Sequence, residues 1–97
     1  RVYWIYDTPE DVVRGNHAHK NDEQVIVCIT GQAEIEVINP QQQALFFKLS
    51  HPSKGLYIPK LHWKNIKLSK GACLICVSST LYNPNAYIKN FNEFINL

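Results

Sequence analysis

Arg14-Gly15-Asn16-His17-Ala18-His19-Lys20 and, after a short polar turn, Gln24-Val25-Ile26-Val27-Cys28-Ile29-Thr30-Gly31 decide how this chain folds. Extended backbone alternates its side chains with period 2, so His17 and His19 point to one side of a strand. The run from Gln24 to Thr30 is almost wholly apolar and rich in β-branched residues, which reads as a strand buried on both faces. Gly31-Gln32 then makes a tight turn. Two imidazoles on one sheet face have three uses: a metal site, an acid/base pair, or a buried polar pair whose hydrogen bonds are satisfied.

Outward from this stretch the chain keeps the same rhythm. Arg1 to Asp7 reads as a strand with Arg1, Tyr3 and Ile5 on one face and Val2, Trp4 and Tyr6 on the other. Ala33 to Ile38 alternates as a half-exposed hairpin partner. Ala44 to Leu49, Leu56 to Pro59, Trp63 to Leu68 and Ala72 to Ser78 supply further strands, the Leu56 one stopped by proline. In the tail, Tyr87, Ile88, Phe91, Phe94 and Ile95 approach helical spacing, and Asn83-Pro84-Asn85 offers a helix start. Short strands at regular intervals, turns rich in Gly and Pro, and one late helix predict a small β-barrel or sandwich, with residues 1–97 as a single domain.

Composition narrows the function. No apolar run is long enough for a membrane helix. The net charge of +2 is small and scattered, which argues against a nucleic-acid face. The densest basic group, Lys60, Lys64, Lys67 and Lys70, reads as a solvated strand edge and loop. The 3 cysteines sit in or beside apolar runs, and Cys73 and Cys76 face opposite ways on a strand, so reduced thiols in the cytoplasm are expected. His51 and His62 read as loop residues, Trp63 as core, and Tyr82 and Tyr87 as packing for the tail.

The spacing His17-x-His19-x(4)-Gln24-x(6)-Gly31 follows the first motif of the cupin barrels, where two histidines and a glutamate hold a metal. Here glutamine replaces the glutamate. At the best match to the second motif, Pro59-Lys60-Leu61-His62-Trp63-Lys64, the last histidine position holds Lys64. An amide is a weak ligand and an ammonium repels cations, so no metal and no cofactor are expected.

Arg1 to Asp7, the string Arg14-Gly15-x-His17-Ala18-His19-Lys20, Gln24-Val25, Gly55-Leu56-Tyr57-Ile58-Pro59, Trp63, Leu74-Ile75-Cys76-Val77 and Tyr87-Ile88-x-Asn90-Phe91-x-x-Phe94 together resemble the WxcM-like cupins. These are sugar nucleotide 3,4-ketoisomerases acting on dTDP-4-keto-6-deoxyglucose, in nucleotide-sugar metabolism for cell-surface polysaccharide. The resemblance implies an all-β fold, a small cupin-type jelly-roll β-barrel with a short C-terminal helix. It also implies a homodimer, a dTDP-linked keto-deoxy sugar as ligand, and an N-terminal strand segment that this chain lacks. Trp4, Lys64 and Asn65 depart from the family pattern.

The implied reaction removes an acidified C3 proton, passes through an enediolate, and returns a proton to C4. Histidine suits both proton transfers. His17 and His19 are therefore the expected base and partner, in either order, with Tyr3 moving a hydroxyl proton. Arg14 is expected to hold the diphosphate or the developing oxyanion, and Gln24 to offer its amide to a sugar hydroxyl. The departures leave two other functions to weigh: a non-catalytic nucleotide-sugar-binding cupin, and a metal-dependent cupin enzyme.

Overall fold

The apolar and alternating runs become nine strands in the computed structural model, which describes residues 1–97. They are β1 (Val2–Ile5), β2 (Val13–His19), β3 (Gln24–Thr30), β4 (Ala33–Ile38), β5 (Ala44–Leu49), β6 (Gly55–Ile58), β7 (Trp63–Leu68), β8 (Cys73–Ser78) and β9 (Tyr87–Ile88), followed by one helix, α1 (Phe91–Ile95). All pairings are antiparallel, in one sheet ordered β1-β8-β3-β6 and a second ordered β5-β4-β7-β2-β9. Ile26, Cys28, Leu74 and Cys76 of the first sheet meet Ile35, Val37, Ile66 and Leu68 of the second in one apolar cluster. The sheets therefore pack face to face, as in the jelly-roll architecture expected from the sequence.

Three sequence expectations change in the structure. β3 is not buried on both faces: Ile26 and Cys28 point into the core, while Val25 and Ile29 are exposed. Two-sided burial needs a layer over the second face, and within this chain nothing covers the outside of this sheet. The tail helix is shorter than its spacing suggested. Asn83 caps a 3-10 turn, Pro84–Ala86, and Tyr87–Ile88 pairs with β2 as a strand. α1 begins only after Asn90, whose side chain accepts from the Glu93 N–H. Phe94 of α1 then joins Trp63, Ala18 and Ile88 in a second cluster outside β2, β7 and β9.

The third change concerns the lysine group. Lys60, Lys67 and Lys70 are exposed, as read. Lys64 is not: β7 lies inside its sheet between β4 and β2, and period 2 puts Lys64 on the inward side with Ile66 and Leu68. It is only 2% exposed.

What aims the histidines is an irregularity in β2. The register against β7 shifts between Gly15 and His17, with Gly15 at φ 88 and Asn16 at φ 54. This is a bulge, and it requires glycine. A Cβ on Gly15 would lie 2.7 Å from the Lys64 carbonyl oxygen. Beyond the bulge, Ala18 faces the second cluster beneath α1 while His17 and His19 face inward. No helix is long and apolar enough to cross a membrane.

Candidate active site

Between the sheets, where β1, β2, β7 and β9 converge, the core gives way to an open cavity of about 470 Å³. Arg1, Tyr3, Arg14, His17, Lys64 and Tyr87 are on its wall. The size suits a small-molecule site. His17 and His19 meet there, with their Nε2 atoms 3.0 Å apart. The Nδ1 of His17 is 2.8 Å from the Gly15 carbonyl, which can only accept, so that nitrogen carries the hydrogen. Tyr87 stacks on His17 at 4.8 Å and 15° and lies 4.4 Å from His19. Burial pushes the pKa of both rings below the imidazole range, and the Lys64 ammonium pushes the same way. Both rings therefore stand neutral at pH 7, the form a base requires.

Gln24 lies beneath the cavity, 2% exposed, and its amide makes three hydrogen bonds. Its Nε2 donates to the Tyr3 hydroxyl at 2.8 Å and to Ser78 Oγ at 2.7 Å. Its Oε1 accepts from the Lys64 ammonium. The structure thus makes Gln24 a brace for Tyr3 and Lys64, with both amide hydrogens and one lone pair of its oxygen in use. Burial raises the pKa of Tyr3, which favours its hydroxyl as a donor over a base. Burial lowers that of Lys64 to about 8, so it remains mostly charged at neutral pH yet can give up a proton.

Arg14 is exposed at the cavity rim, its Nε donating to Thr8 Oγ1 at 3.3 Å. Of the five residues named from sequence, three line the cavity (Tyr3, Arg14 and His17), His19 is buried behind His17, and Gln24 sits beneath them. Sequence reasoning missed five others: Lys64, read as solvated, and four more. Tyr87, read as tail packing, stacks on His17. Tyr82, read likewise, faces the cavity beside Arg1, whose guanidinium lies 5.2 Å from the Tyr82 ring and 4.9 Å from the Tyr3 ring. Arg1 also donates to the Tyr87 hydroxyl at 3.2 Å. Asp22, buried in the turn after β2, comes within 3.3 Å of His19 Nδ1. The i,i+3 spacing of His19 and Asp22 was the one signal available for that pair.

The cupin metal site does not fit these residues. The two Nε2 atoms lie 3.0 Å apart, a separation that two ligands of one ion also have, so the misfit lies at the other two positions. The third ligand position is a glutamine whose oxygen is taken by an ammonium, and that ammonium occupies the fourth.

Comparison with known proteins agrees with the geometry. The family described as FdtA, WxcM-like, C-terminal, matches residues 1–97. The chain is 33% identical over 95 residues to the TDP-4-oxo-6-deoxy-alpha-D-glucose-3,4-oxoisomerase of Aneurinibacillus thermoaerophilus, covering 97% of this chain and 68% of that one. A crystal structure of a 3,4-ketoisomerase from Helicobacter canadensis superposes with a TM-score of 0.94 at 40% identity, over 99% of this chain and 72% of that one. A sugar 3,4-ketoisomerase from Thermoanaerobacterium thermosaccharolyticum, solved with TDP, gives 0.94 at 34%, over 99% and 70%. Sequence, fold and the histidine string point the same way, and the chain belongs to the WxcM-like family.

Proposed function

We propose that this chain is a sugar nucleotide 3,4-ketoisomerase that moves the keto group of a dTDP-4-keto-6-deoxyhexose from C4 to C3. One observation carries the reading: two neutral imidazoles in contact at the wall of a cavity that also holds a buried ammonium. The isomerisation is an internal redox exchange and needs no outside oxidant. The histidine pair takes the proton from C3 and leaves the electron pair as an enediolate across C3 and C4. It then delivers a proton to C4. The hydroxyl proton must also pass from O3 to O4, and Lys64 serves here. Its ammonium stabilises the oxyanion, and its lowered pKa lets it donate to O4 and recover a proton from O3. Tyr3, braced by Gln24, donates to one of these oxygens. Arg14 at the rim and Arg1 between its tyrosines provide cations for the diphosphate.

The decisive experiment is incubation with dTDP-4-keto-6-deoxyglucose in D₂O, following deuterium at C3 and C4 by NMR. Wash-in at C3 and a 3-keto product are expected. Binding without exchange would leave a nucleotide-sugar-binding domain and reject the isomerase.

The reading extends to assembly and place. The outer face of the first sheet presents Val2, Trp4, Val25, Tyr57 and Val77, all exposed, Trp4 at 61%. An uncharged apolar face of this kind suits burial against a second copy, as a homodimer. Sedimentation equilibrium at micromolar concentration should give twice the chain mass, and a monomer at every concentration would reject the dimer. Three free thiols suit the cytoplasm, where the keto sugar would feed nucleotide-sugar steps toward cell-surface polysaccharide.

A further inference from the structure

Asp22 is a buried carboxylate with an unequal set of partners. Its Oδ1 accepts from the Ser79 hydroxyl at 3.0 Å and from the Thr80 N–H at 3.1 Å. The Ser79 oxygen in turn accepts from the Glu23 N–H at 2.9 Å, which directs its own hydrogen to Asp22. Burial alone would raise the carboxyl pKa. The Ser79 hydroxyl, the nearness of His19 and the Thr80 N–H outweigh it, so the group is held below the carboxylate range and is ionised. Oδ2, by contrast, has no hydrogen-bond donor satisfying it. It lies 3.3 Å from His19 Nδ1 and 4.0 Å from the Arg1 guanidinium.

Counting hydrogens along this line leaves one choice, at His19, and the negative charge of Asp22 bears on it. At one end stands the Gly15 carbonyl and at the other Asp22 Oδ2, both acceptors only. Between them lie three contacts: Gly15 to His17, His17 to His19, and His19 to Asp22. Two neutral imidazoles carry only two N–H hydrogens. Placing both at the acceptor ends leaves the two Nε2 lone pairs opposed at 3.0 Å, the distance of an N–H···N bond. That contact accepts one further proton, and Asp22 balances its charge. Lys64, Arg1 and Lys89 face the rings from the other elements and oppose protonation, while Tyr87 covers them and Tyr3 stands across the cavity.

We infer that Asp22 is a positioning residue of the isomerisation: by drawing the Nδ1 hydrogen of His19 toward its unpartnered Oδ2, 3.3 Å away, it turns that ring's Nε2 lone pair toward His17, and the two imidazoles act as one acceptor for the proton leaving C3. The C3–H bond breaks, its electrons stay in the enediolate, and the proton passes to the pair, where it exchanges with solvent before the C4–H bond forms. The inference rests on the isomerase reading for its chemistry, but the arrangement itself can be read without substrate.

The test is long-range ¹H–¹⁵N NMR of the imidazoles in the full chain near pH 7, beside the deuterium assay. In the wild type both rings should carry hydrogen on Nδ1, although free imidazole favours Nε2. In Asp22→Asn the Thr80 N–H and Ser79 hydroxyl keep the amide oxygen at the Oδ1 position. The NH₂ then faces His19 Nδ1 and forces the hydrogen to Nε2. C3 exchange should fall about 100-fold or more, the sense of the loss seen when a carboxylate orienting a catalytic histidine becomes an amide. A thermal unfolding scan should show Asp22→Asn folded. If it is not, Ser79→Ala, which frees the carboxylate, should weaken the Nδ1 form of His19 in the same direction. Hydrogen on His19 Nε2 in the wild type, or an Asn variant exchanging at the wild-type rate, overturns the inference. A tautomer switch with no C3 exchange in either protein supports the Asp22–His19 contact and rejects the isomerase reading instead.

Discussion

His17→Asn is expected to slow C3 deuterium exchange by about 10²- to 10⁴-fold, which is what one positioned acid/base group contributes. That is about 3–5 kcal/mol of transition-state stabilisation. Nucleotide affinity, measured by calorimetry with dTDP, should change little, because no phosphate contact is assigned to this ring. Stability should change little too: the variant gives up the stacking on Tyr87, a contact at 4.8 Å, which is worth about 1 kcal/mol. Loss of binding with exchange per bound molecule unchanged would make His17 a ligand contact and not a base.

The pairing of His17 with His19 was legible because one rule governs it. Period 2 places residues i and i+2 on the same face, and the bulge at Gly15 and Asn16 ends before the pair begins. Arg14 and Tyr3 were found through the family string. The partners of the pair were not legible, for separate physical reasons. Tyr87 reaches His17 from a two-residue strand whose apolar spacing looked helical, and a strand that short is set by the neighbour it pairs with. Lys64 was read with its neighbouring lysines as solvated, since a buried ammonium is the rarer outcome. Only the placement of β7 inside its sheet reverses that. Gln24 was read as offering its amide to a sugar hydroxyl, and the number of partners competing for that amide is a property of four strands together. The outward face of β3 was misread because an apolar run does not say whether a second layer covers it.

Lys64→Met should have two opposite effects. Migration of the keto group from C4 to C3 should fall about 10²- to 10³-fold, as for removal of a charged or hydrogen-bonding group that stabilises an oxyanion. At the same time the protein should become more stable at pH 7. A lysine whose pKa drops from 10.5 to about 8 costs the folded state about 3 kcal/mol while charged. Removing it relieves that cost, less the 1–3 kcal/mol incurred when Gln24 Oε1 loses its donor, so a net gain of about 1 kcal/mol is expected. The same lysine sets a pH signature in the wild type. Between pH 8 and about 10.4 the unfolded chain still holds the proton that the folded chain has released, so stability rises with pH across that window through this group. Activity should move the other way and decline above pH 8, as the oxyanion loses its cation. Urea titrations of both proteins at pH 7 and pH 9.5 check the sign. A variant less stable than wild type at pH 7, with no difference in pH slope, would mean the ammonium is better solvated by the fold than its burial implies.

The amide of Gln24 reaches β1 through Tyr3, β8 through Ser78 and β7 through Lys64, while its own backbone belongs to β3. Three of these strands are in one sheet and β7 is in the other. The site floor is thus a cross-link between the layers, and it cannot open without parting them. In amide hydrogen exchange, β3, β7 and β8 should behave as a single slow unit that opens only with the whole domain. The Thr8–Val12 segment beneath Arg14 and the Leu81–Tyr82 segment carry few such ties and should exchange fast. Substitutions at the rim can therefore alter which sugar nucleotide is held without drawing on the stability of the floor, and the two can drift independently in evolution.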